Sequence, residues 1–84
     1  MPDSKIRKAI CSQVARILRE EREKRHLSMT VVAAKAGLSQ QMVSYVERGI
    51  RNPTLETLLR ITDALDVNLV KIIDRAYTAA KRAK

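Results

Sequence analysis

The stretch that decides the fold is Leu38-Ser39-Gln40-Gln41-Met42-Val43-Ser44-Tyr45-Val46-Glu47-Arg48-Gly49. Wound as a helix at about 100° per residue, it separates into a polar face and an apolar face. The polar face covers an arc of roughly 140° at that spacing and carries Gln40, Ser44, Arg48, Gln41 and Tyr45. The apolar face carries Met42, Val43 and Val46. Every outward side chain can form hydrogen bonds, so the pattern predicts a binding surface backed by a buried face.

A second, shorter helix is predicted immediately before this stretch. Ser28 can cap its N-terminus, and Gly37 can adopt the left-handed conformation that ends it. Ser39 then caps the next helix, and the small side chain of Ala33 lets the two helices approach closely. Two short helices joined by a turn of about three or four residues containing Gly form a helix-turn-helix, whose second helix enters the DNA major groove. Residues 28–48 are therefore predicted to form this motif.

Further motifs lie on both sides of the predicted turn. In order they are Arg22, Leu27-Ser28, Ala33, Gly37-Leu38-Ser39, Glu47-Arg48-Gly49, Asn52-Pro53, Leu55 to Leu58, and Ala64-Leu65. With these motifs the chain from Arg22 to about Ile73 resembles the Cro and phage-repressor (XRE-type) helix-turn-helix family. The resemblance implies an all-α fold, a compact bundle of about five helices similar to a lambda-repressor DNA-binding domain with an extended first helix. It also implies a sequence-specific transcriptional regulator, a repressor or autoregulator, that binds double-stranded DNA.

Length and charge are compatible with that expectation. Eighty-four residues make a single domain, 1–84. Seventeen Lys and Arg against nine Asp and Glu give a net charge of +8, which favours a polyanionic partner such as nucleic acid. There is no run of about 18 apolar residues to span a membrane and no secretory signal segment, so we expect a cytoplasmic protein. The single Cys cannot form an internal disulfide, which fits a reducing compartment.

The first helix is predicted from about Ser4 to Arg25, with one apolar stripe. The stripe consists of Ile6, Ile10, Val14, Ile17 and Leu18. Most of the family begins this helix later, so residues 1 to about 12 form an extension to which the resemblance gives no role. The extension either lengthens the DNA footprint, contacts a partner subunit, or is a solvated helix end. Its charged residues are Lys5, Arg7 and Lys8.

Two more helices are predicted after the helix-turn-helix. Helix four runs from about Pro53 or Thr54 to Leu65, with Asn52 or Thr54 as its cap. Its expected inner stripe is Leu55, Leu58, Leu59, Thr62 and Leu65. Helix five runs from Leu69 to about Lys81. Its apolar arc of roughly 180° exceeds the arc of about 100° that packing against its own core requires.

The surplus apolar arc indicates that helix five, at about 69–82, also covers a second chain. Family members commonly dimerise through this helix, so the resemblance implies a homodimer. The expected interface residues are Leu69, Val70, Ile73, Ala76, Tyr77 and Ala80. The alternative is a wide face fully covered by helix one of the same chain. In a dimer, two recognition helices about 34 Å apart would meet successive major grooves over a palindromic operator.

The resemblance assigns base contacts to the outward face of the second short helix. Gln40 and Gln41 match positions that contact bases, and a Gln amide can pair with adenine N6 and N7 in the major groove. Ser44 and Tyr45 match positions one turn further on, which meet bases, thymine methyl groups or phosphates. Contacts to the DNA backbone are expected from helix ends and from the following loop. The candidates are Arg51, Asn52, Arg48, Lys35, Thr30 and Met29.

Two residues depart from the family pattern. Met29 stands where helix two commonly begins with Gln, whose side chain contacts the DNA backbone and steadies the first recognition residue. A thioether offers only packing there, although neighbouring Thr30 could replace part of the interaction. His26 stands where Gly often ends helix one, and we expect it to adopt a left-handed helix-end conformation.

The charged residues of helix one have structural explanations. Arg22 and Glu47 match a family pair that ties this helix to the end of the recognition helix by a charge-assisted hydrogen bond. The carboxylates before His26 are expected to form helical ion pairs, Glu20 with Lys24 and Glu21 with Arg25.

No catalytic, metal or cofactor site is predicted. Cys11 and His26 would lie about 22 Å apart along one helix, too far for a nucleophile and its base. Neither a Gly-rich phosphate loop nor a metal-ligand spacing is present, so we expect no enzyme and no small-molecule ligand. Without an effector domain, control would come from concentration, autoregulation or a partner protein, as in restriction-modification controllers and antitoxins that resemble this module. The alternative is a protein-interaction adaptor of the bridging-factor type; RNA binding has less support because aromatic stacking platforms are missing.

Overall fold

Five α-helices and their connecting loops make up residues 4–82, the part of the chain that this computed structural model describes. The helices are α1 (Ser4–Lys24), α2 (Met29–Ala36), α3 (Gln40–Glu47), α4 (Leu55–Leu65) and α5 (Leu69–Arg82). No strand occurs between residues 4 and 82, so the predicted all-α bundle with a long first helix is confirmed. The start of the extension 1–12 and the outer limits of the domain 1–84 fall on residues 1–3 and 83–84, which lie outside the described part.

Polar caps and a glycine fix the boundaries of the two short helices. Ser28 Oγ accepts a hydrogen bond from a first-turn N–H of α2 at 3.1 Å, and Ser39 Oγ does the same for α3 at 3.0 Å. Gly37 ends α2 with a φ of +70°, in the left-handed region. A Cβ at this glycine would lie 3.0 Å from Nη1 of Arg60, so the turn is also crowded. These caps are the ones that the sequence predicts.

The start of α4 settles which of the predicted caps is used. Thr54 is the cap, since its Oγ1 accepts a hydrogen bond from the backbone N–H of Thr57 at 3.1 Å. The helix begins at Leu55, so Pro53 precedes the cap and does not occupy the first helical position. The prediction of Pro53 inside the helix is therefore wrong. The proline instead belongs to the loop that follows α3.

Between residues 4 and 82, two residues other than glycine adopt left-handed backbone conformations at helix ends. His26 follows α1 with a φ of +56°, which confirms the prediction for this residue. Asp66 follows α4 with a φ of +58°, and the sequence analysis did not single it out. The short polar side chain of Asp makes this region more accessible than it is for most residues.

One apolar core lies between α1, the helix-turn-helix and the last two helices. Its most deeply buried aliphatic side chains are Ile17, Leu18, Val32, Val43, Val46, Ile61, Leu65 and Ile72. Burying a side chain of this kind contributes about 1.5–3 kcal/mol relative to leaving it exposed. Because Val43 and Val46 point into the core, the opposite face of α3 must point to solvent. The core therefore sets the orientation of the recognition helix.

Helix α4 is rotated relative to its predicted orientation. Thr62 and Leu65 are buried as expected, but Leu55 is 67% exposed and Leu59 is 44% exposed. Ile61, which the predicted stripe omits, is only 2% exposed. At 100° per residue, this difference amounts to a rotation of roughly 50°. The rotation leaves two leucines of α4 on the surface.

The residues predicted for a subunit interface fall into three groups on α5. Ala76 and Ala80 are buried inside the chain, because α5 packs mainly against α1, and their assignment to the interface is wrong. Leu69 and Ile73 are half-buried. Val70 is 74% exposed and Tyr77 is 47% exposed. The alternative in which helix one covers the whole apolar face is therefore wrong as well.

A buried carboxylate joins α1 to α5. Glu21 accepts hydrogen bonds from Arg25 on the next turn and from Nη1 of Arg75 at 2.7 Å. The bond from Arg75, followed by the bond from Arg25, lowers the pKa of Glu21. The predicted pair of Glu21 with Arg25 is thus confirmed. The other predicted helical pair is wrong, since Glu20 pairs with Arg16, one turn earlier.

Candidate nucleic-acid interface

Helix α3 presents the predicted base-contacting residues at the surface. Gln40 and Gln41 are exposed in its first turn, and Ser44 and Tyr45 are half-buried one turn later. All four lie opposite the buried valines that anchor the helix. The arrangement gives a row of amide and hydroxyl groups able to donate and accept hydrogen bonds.

The first turn of α2 holds the first recognition residue in place. Thr30 Oγ1 donates a hydrogen bond to Oε1 of Gln40 at 3.2 Å. Met29, the departure from the family pattern, is half-buried and packs against the core. The residue next to Met29 therefore contacts the first residue of α3.

A second set of contacts links α3 to the loop after it. Gln41 Nε2 donates a hydrogen bond to the phenol oxygen of Tyr45. The guanidinium carbon of Arg51 lies 4.8 Å from the centroid of the Tyr45 ring, and that of Arg48 lies 6.0 Å from it. A cation over an aromatic ring at an exposed site contributes about 0.5–1 kcal/mol. The tyrosine thus holds an amide at its hydroxyl end and a cation over its ring.

The candidates for contact with the DNA backbone are not all brought together. Arg48, Arg51 and Asn52 are exposed at the end of α3 and in the loop that follows. Thr30 lies at the opposite end of α3, where it bonds Gln40. Lys35 is exposed too, but five residues further along α2 it points about 140° away from Thr30. The structure therefore does not group Lys35 with the others.

Arg22 and Glu47 form a two-bond ion pair that connects α1 to the end of α3. Arg22 Nε lies 2.7 Å from Glu47 Oε2, and Nη2 lies 3.0 Å from Oε1. Arg22 Nη1 also donates to the carbonyl oxygen of Leu27 at 2.8 Å. The side chains are 11% and 5% exposed, and the bond to the carboxylate raises the pKa of Arg22. Among residues 4–82, no buried side-chain nitrogen or oxygen lacks a partner.

Arg60 is a structural residue of the motif that the sequence analysis missed. Its Nη1 donates to the carbonyl oxygen of Ala36 at 3.3 Å, at the C-terminal end of α2. A cation at a helix C-terminus interacts favourably with the helix dipole. Only the arrangement of α2 against α4 brings the two residues together, so a single sequence carries no signal for the contact.

Residues 18–72 match the helix-turn-helix family model. The chain belongs to this family. The match confirms the resemblance predicted from the motifs, and it places the protein among helix-turn-helix transcriptional regulators. Within the described residues this helix-turn-helix protein has no group of three potential metal ligands and no helix able to cross a membrane.

Several relatives of known sequence carry the same module. The chain is 41% identical over 81% of its length to the uncharacterized HTH-type transcriptional regulator y4dJ of Sinorhizobium fredii, 83% of which is covered. It is 39% identical over 70% of its length to the uncharacterized HTH-type transcriptional regulator Rv0474 of Mycobacterium tuberculosis, and spans 42% of that protein. The module therefore occurs both in proteins of similar size and as part of longer ones.

Solved structures show the same fold. The restriction-modification controller protein C.AhdI from Aeromonas hydrophila is 33% identical, with a TM-score of 0.70 over 75% of this chain and 94% of the other. Wild-type controller protein C.Esp1396I is 25% identical, with a TM-score of 0.74 over 82% of this chain and 90% of the other. A point mutant of that protein bound to its highest-affinity operator site has a TM-score of 0.77 at 24% identity, covering 86% and 95%.

Proposed function

We propose that this protein is a sequence-specific repressor or autoregulator that binds a palindromic operator in double-stranded DNA as a homodimer. The observation that carries the proposal is the polar face of α3, with Gln40 and Gln41 exposed beside Ser44 and Tyr45. Each Gln can offer a donor and an acceptor to an adenine edge in the major groove. The rigid valine anchor behind α3 keeps this face directed away from the core.

The residues around α3 supply the proposed contacts to phosphate. Arg51 and Asn52 lie in the loop at the end of the recognition helix, and Arg48 lies at the edge of its face. Thr30 and the backbone at Met29 are placed at the N-terminus of α2, where helix N–H groups favour an anion. These contacts fix the position of the protein on the duplex, whereas the amides of α3 select the sequence.

The homodimer is proposed to form through the outer faces of α4 and α5. Leu59, Val70 and the half-buried Ile73 line one surface between these helices. Tyr77 extends the same stripe of α5, because seven residues separate it from Val70. Exposed apolar side chains concentrated in one place indicate a protein interface. Two copies joined here would present two recognition helices to half-sites about one helical turn apart.

Selection of bound sequences from a random duplex library, with the purified wild-type chain, tests the proposed function. A palindromic consensus is expected, and the double variant Gln40→Ala/Gln41→Ala should yield weaker enrichment and altered base preference. No enrichment by the wild type would refute sequence-specific binding and favour the adaptor. An asymmetric single site bound by a monomer would refute the dimer. A regulator of this kind acts on DNA inside the cell, which is consistent with the proposed cytoplasmic location.

A further inference from the structure

The N-terminal half of α1 and the loop after α3 form the two walls of one groove of about 620 Å³. The α1 wall includes Arg7 and Lys8, and the loop wall includes Arg51 and Asn52. The floor is apolar and includes Val14 and Val46. We call this feature the α1–loop groove. It places residues 4–12 of the extension beside the residues proposed to contact phosphate.

Both walls of the α1–loop groove are cationic. The α1 wall carries Arg7 and Lys8, the loop wall carries Arg51, and residues 48–54 contain no Asp or Glu. No carboxylate lines the groove among the described residues. Like charges held on facing walls attract an anion that can run between them. A polyanion satisfies this geometry better than a single small anion.

Lys8 is the residue of the α1–loop groove that is best placed to bind an anion. It is exposed, it lines the groove, and it forms no ion pair with any residue between 4 and 82. Its side chain therefore gains a partner, without losing one, when an anion enters. A second copy of the chain would bring no overall excess of negative charge to these cations, because its net charge is +8.

We propose that the extension of α1 lengthens the DNA footprint, with Lys8 contacting the sugar-phosphate backbone next to the phosphates held by Arg51 and Asn52. This inference rests on the proposed function. It assigns to residues 4–12 a contact that is independent of sequence and lies outside the helix-turn-helix. A phosphate contact of this kind adds affinity to all duplexes equally and makes binding more dependent on salt.

Binding of the full chain to cognate and random duplexes over a range of salt concentrations tests the inference. Lys8→Ala should weaken both complexes by the same factor and reduce the slope of log affinity against log salt by about one unit. Lys8→Arg should retain the wild-type slope. Lys71→Ala, which removes the same charge from an exposed position on α5, is the matched control and should leave the slope unchanged.

Three outcomes would overturn the inference. A wild-type slope for Lys8→Ala would show that no phosphate is contacted there. An equal decrease in the salt slope for Lys8→Ala and Lys71→Ala would show that the decrease comes from the loss of one net charge and not from a contact at Lys8. A change in the dimer dissociation constant with an unchanged slope would assign the extension to the partner subunit. Failure of the proposed function is distinguished from these outcomes, because it appears as a lack of sequence enrichment by the wild-type protein.

Discussion

The hydroxyl of Thr30 donates a hydrogen bond to the side-chain oxygen of Gln40, joining the first turn of α2 to the first residue of α3 across 3.2 Å. The bond restricts the rotamers of an exposed amide that is otherwise free to turn. Because ordering a side chain costs conformational entropy, an amide held in place before binding loses less of it on contact with a base. We therefore predict that Thr30 acts as a positioning residue for base recognition.

Thr30→Val removes this hydrogen bond with little change in shape. We expect a loss of discrimination between cognate and random DNA of about fivefold, corresponding to one hydrogen bond of about 1 kcal/mol. Competition titrations with the two duplexes measure the ratio. Thr78→Val, at an exposed threonine of α5, serves as the control. Equal discrimination by wild type and Thr30→Val would remove the positioning role.

The hydroxyl of Tyr45 bonds Gln41 while its ring lies under Arg51, so we predict that the two ends of this side chain affect base recognition and phosphate contact separately. Tyr45→Phe keeps the ring and loses the hydroxyl, so we expect weaker cognate binding with an unchanged salt slope. Arg51→Ala should weaken binding to all sequences and reduce that slope by about one unit. Salt-dependent titration of both variants provides the test. A reduced slope for Tyr45→Phe, or sequence-selective loss for Arg51→Ala, would contradict this division.

The local signals around the turn were sufficient to predict the motif. Ser28, Gly37 and Ser39 each act within one turn of their own helix, so short spacing specifies their roles. The polar face of α3 follows from the same spacing, since the buried positions of Val43 and Val46 leave only one direction for the amides. These features depend on neighbours in sequence.

Features that depend on helices meeting in space could not be predicted in this way. Two apolar stripes are possible on α4, and contact with the rest of the bundle selects the one that contains Ile61, leaving Leu55 and Leu59 outside. The bond from Arg60 to the end of α2 and that from Arg75 to Glu21 join residues on different helices. Periodicity measures the width of an apolar face but not which part of it a neighbouring helix covers.

We expect the Arg22–Glu47 pair to affect the stability of the fold but not the base preference of the protein. Glu47→Ala leaves a largely buried guanidinium without its carboxylate, which costs about 3 kcal/mol of unfolding free energy. Base preference among the molecules that remain folded should be nearly unchanged. Glu23→Ala, which breaks the exposed pair with Arg19, should cost less than about 1 kcal/mol. Chemical denaturation measures both values, and wild-type stability of Glu47→Ala with altered base preference would refute the structural role.

Because of Glu21, we expect the bundle to lose stability in acid. Hydrogen bonds from Arg75 and Arg25 lower the pKa of Glu21 in the folded chain. The stability that this carboxylate contributes is therefore present above the unfolded pKa of about 4.3 and is lost as pH falls through the lower folded pKa. Glu21→Gln should be less stable than wild type at pH 7 and should show a smaller decrease on acidification. Thermal unfolding at a series of pH values measures the difference. Parallel pH profiles for the two proteins would show that the carboxylate does not supply this dependence.

The exposed stripe of α5 predicts a dimer that a single charge disrupts. Val70 is the most exposed large apolar residue of the described chain, and Leu59 lies on the same surface between α4 and α5. Val70→Glu places a carboxylate in the proposed interface and should shift the protein to monomer in sedimentation experiments without DNA. Val31→Glu, at a 40% exposed valine of α2, introduces the same charge away from this surface and should leave the dimer intact.

Because one module reads only half of a palindrome, monomeric Val70→Glu should also lose most of its operator affinity while its helical content is retained. A dimer that survives Val70→Glu would place the subunit interface elsewhere.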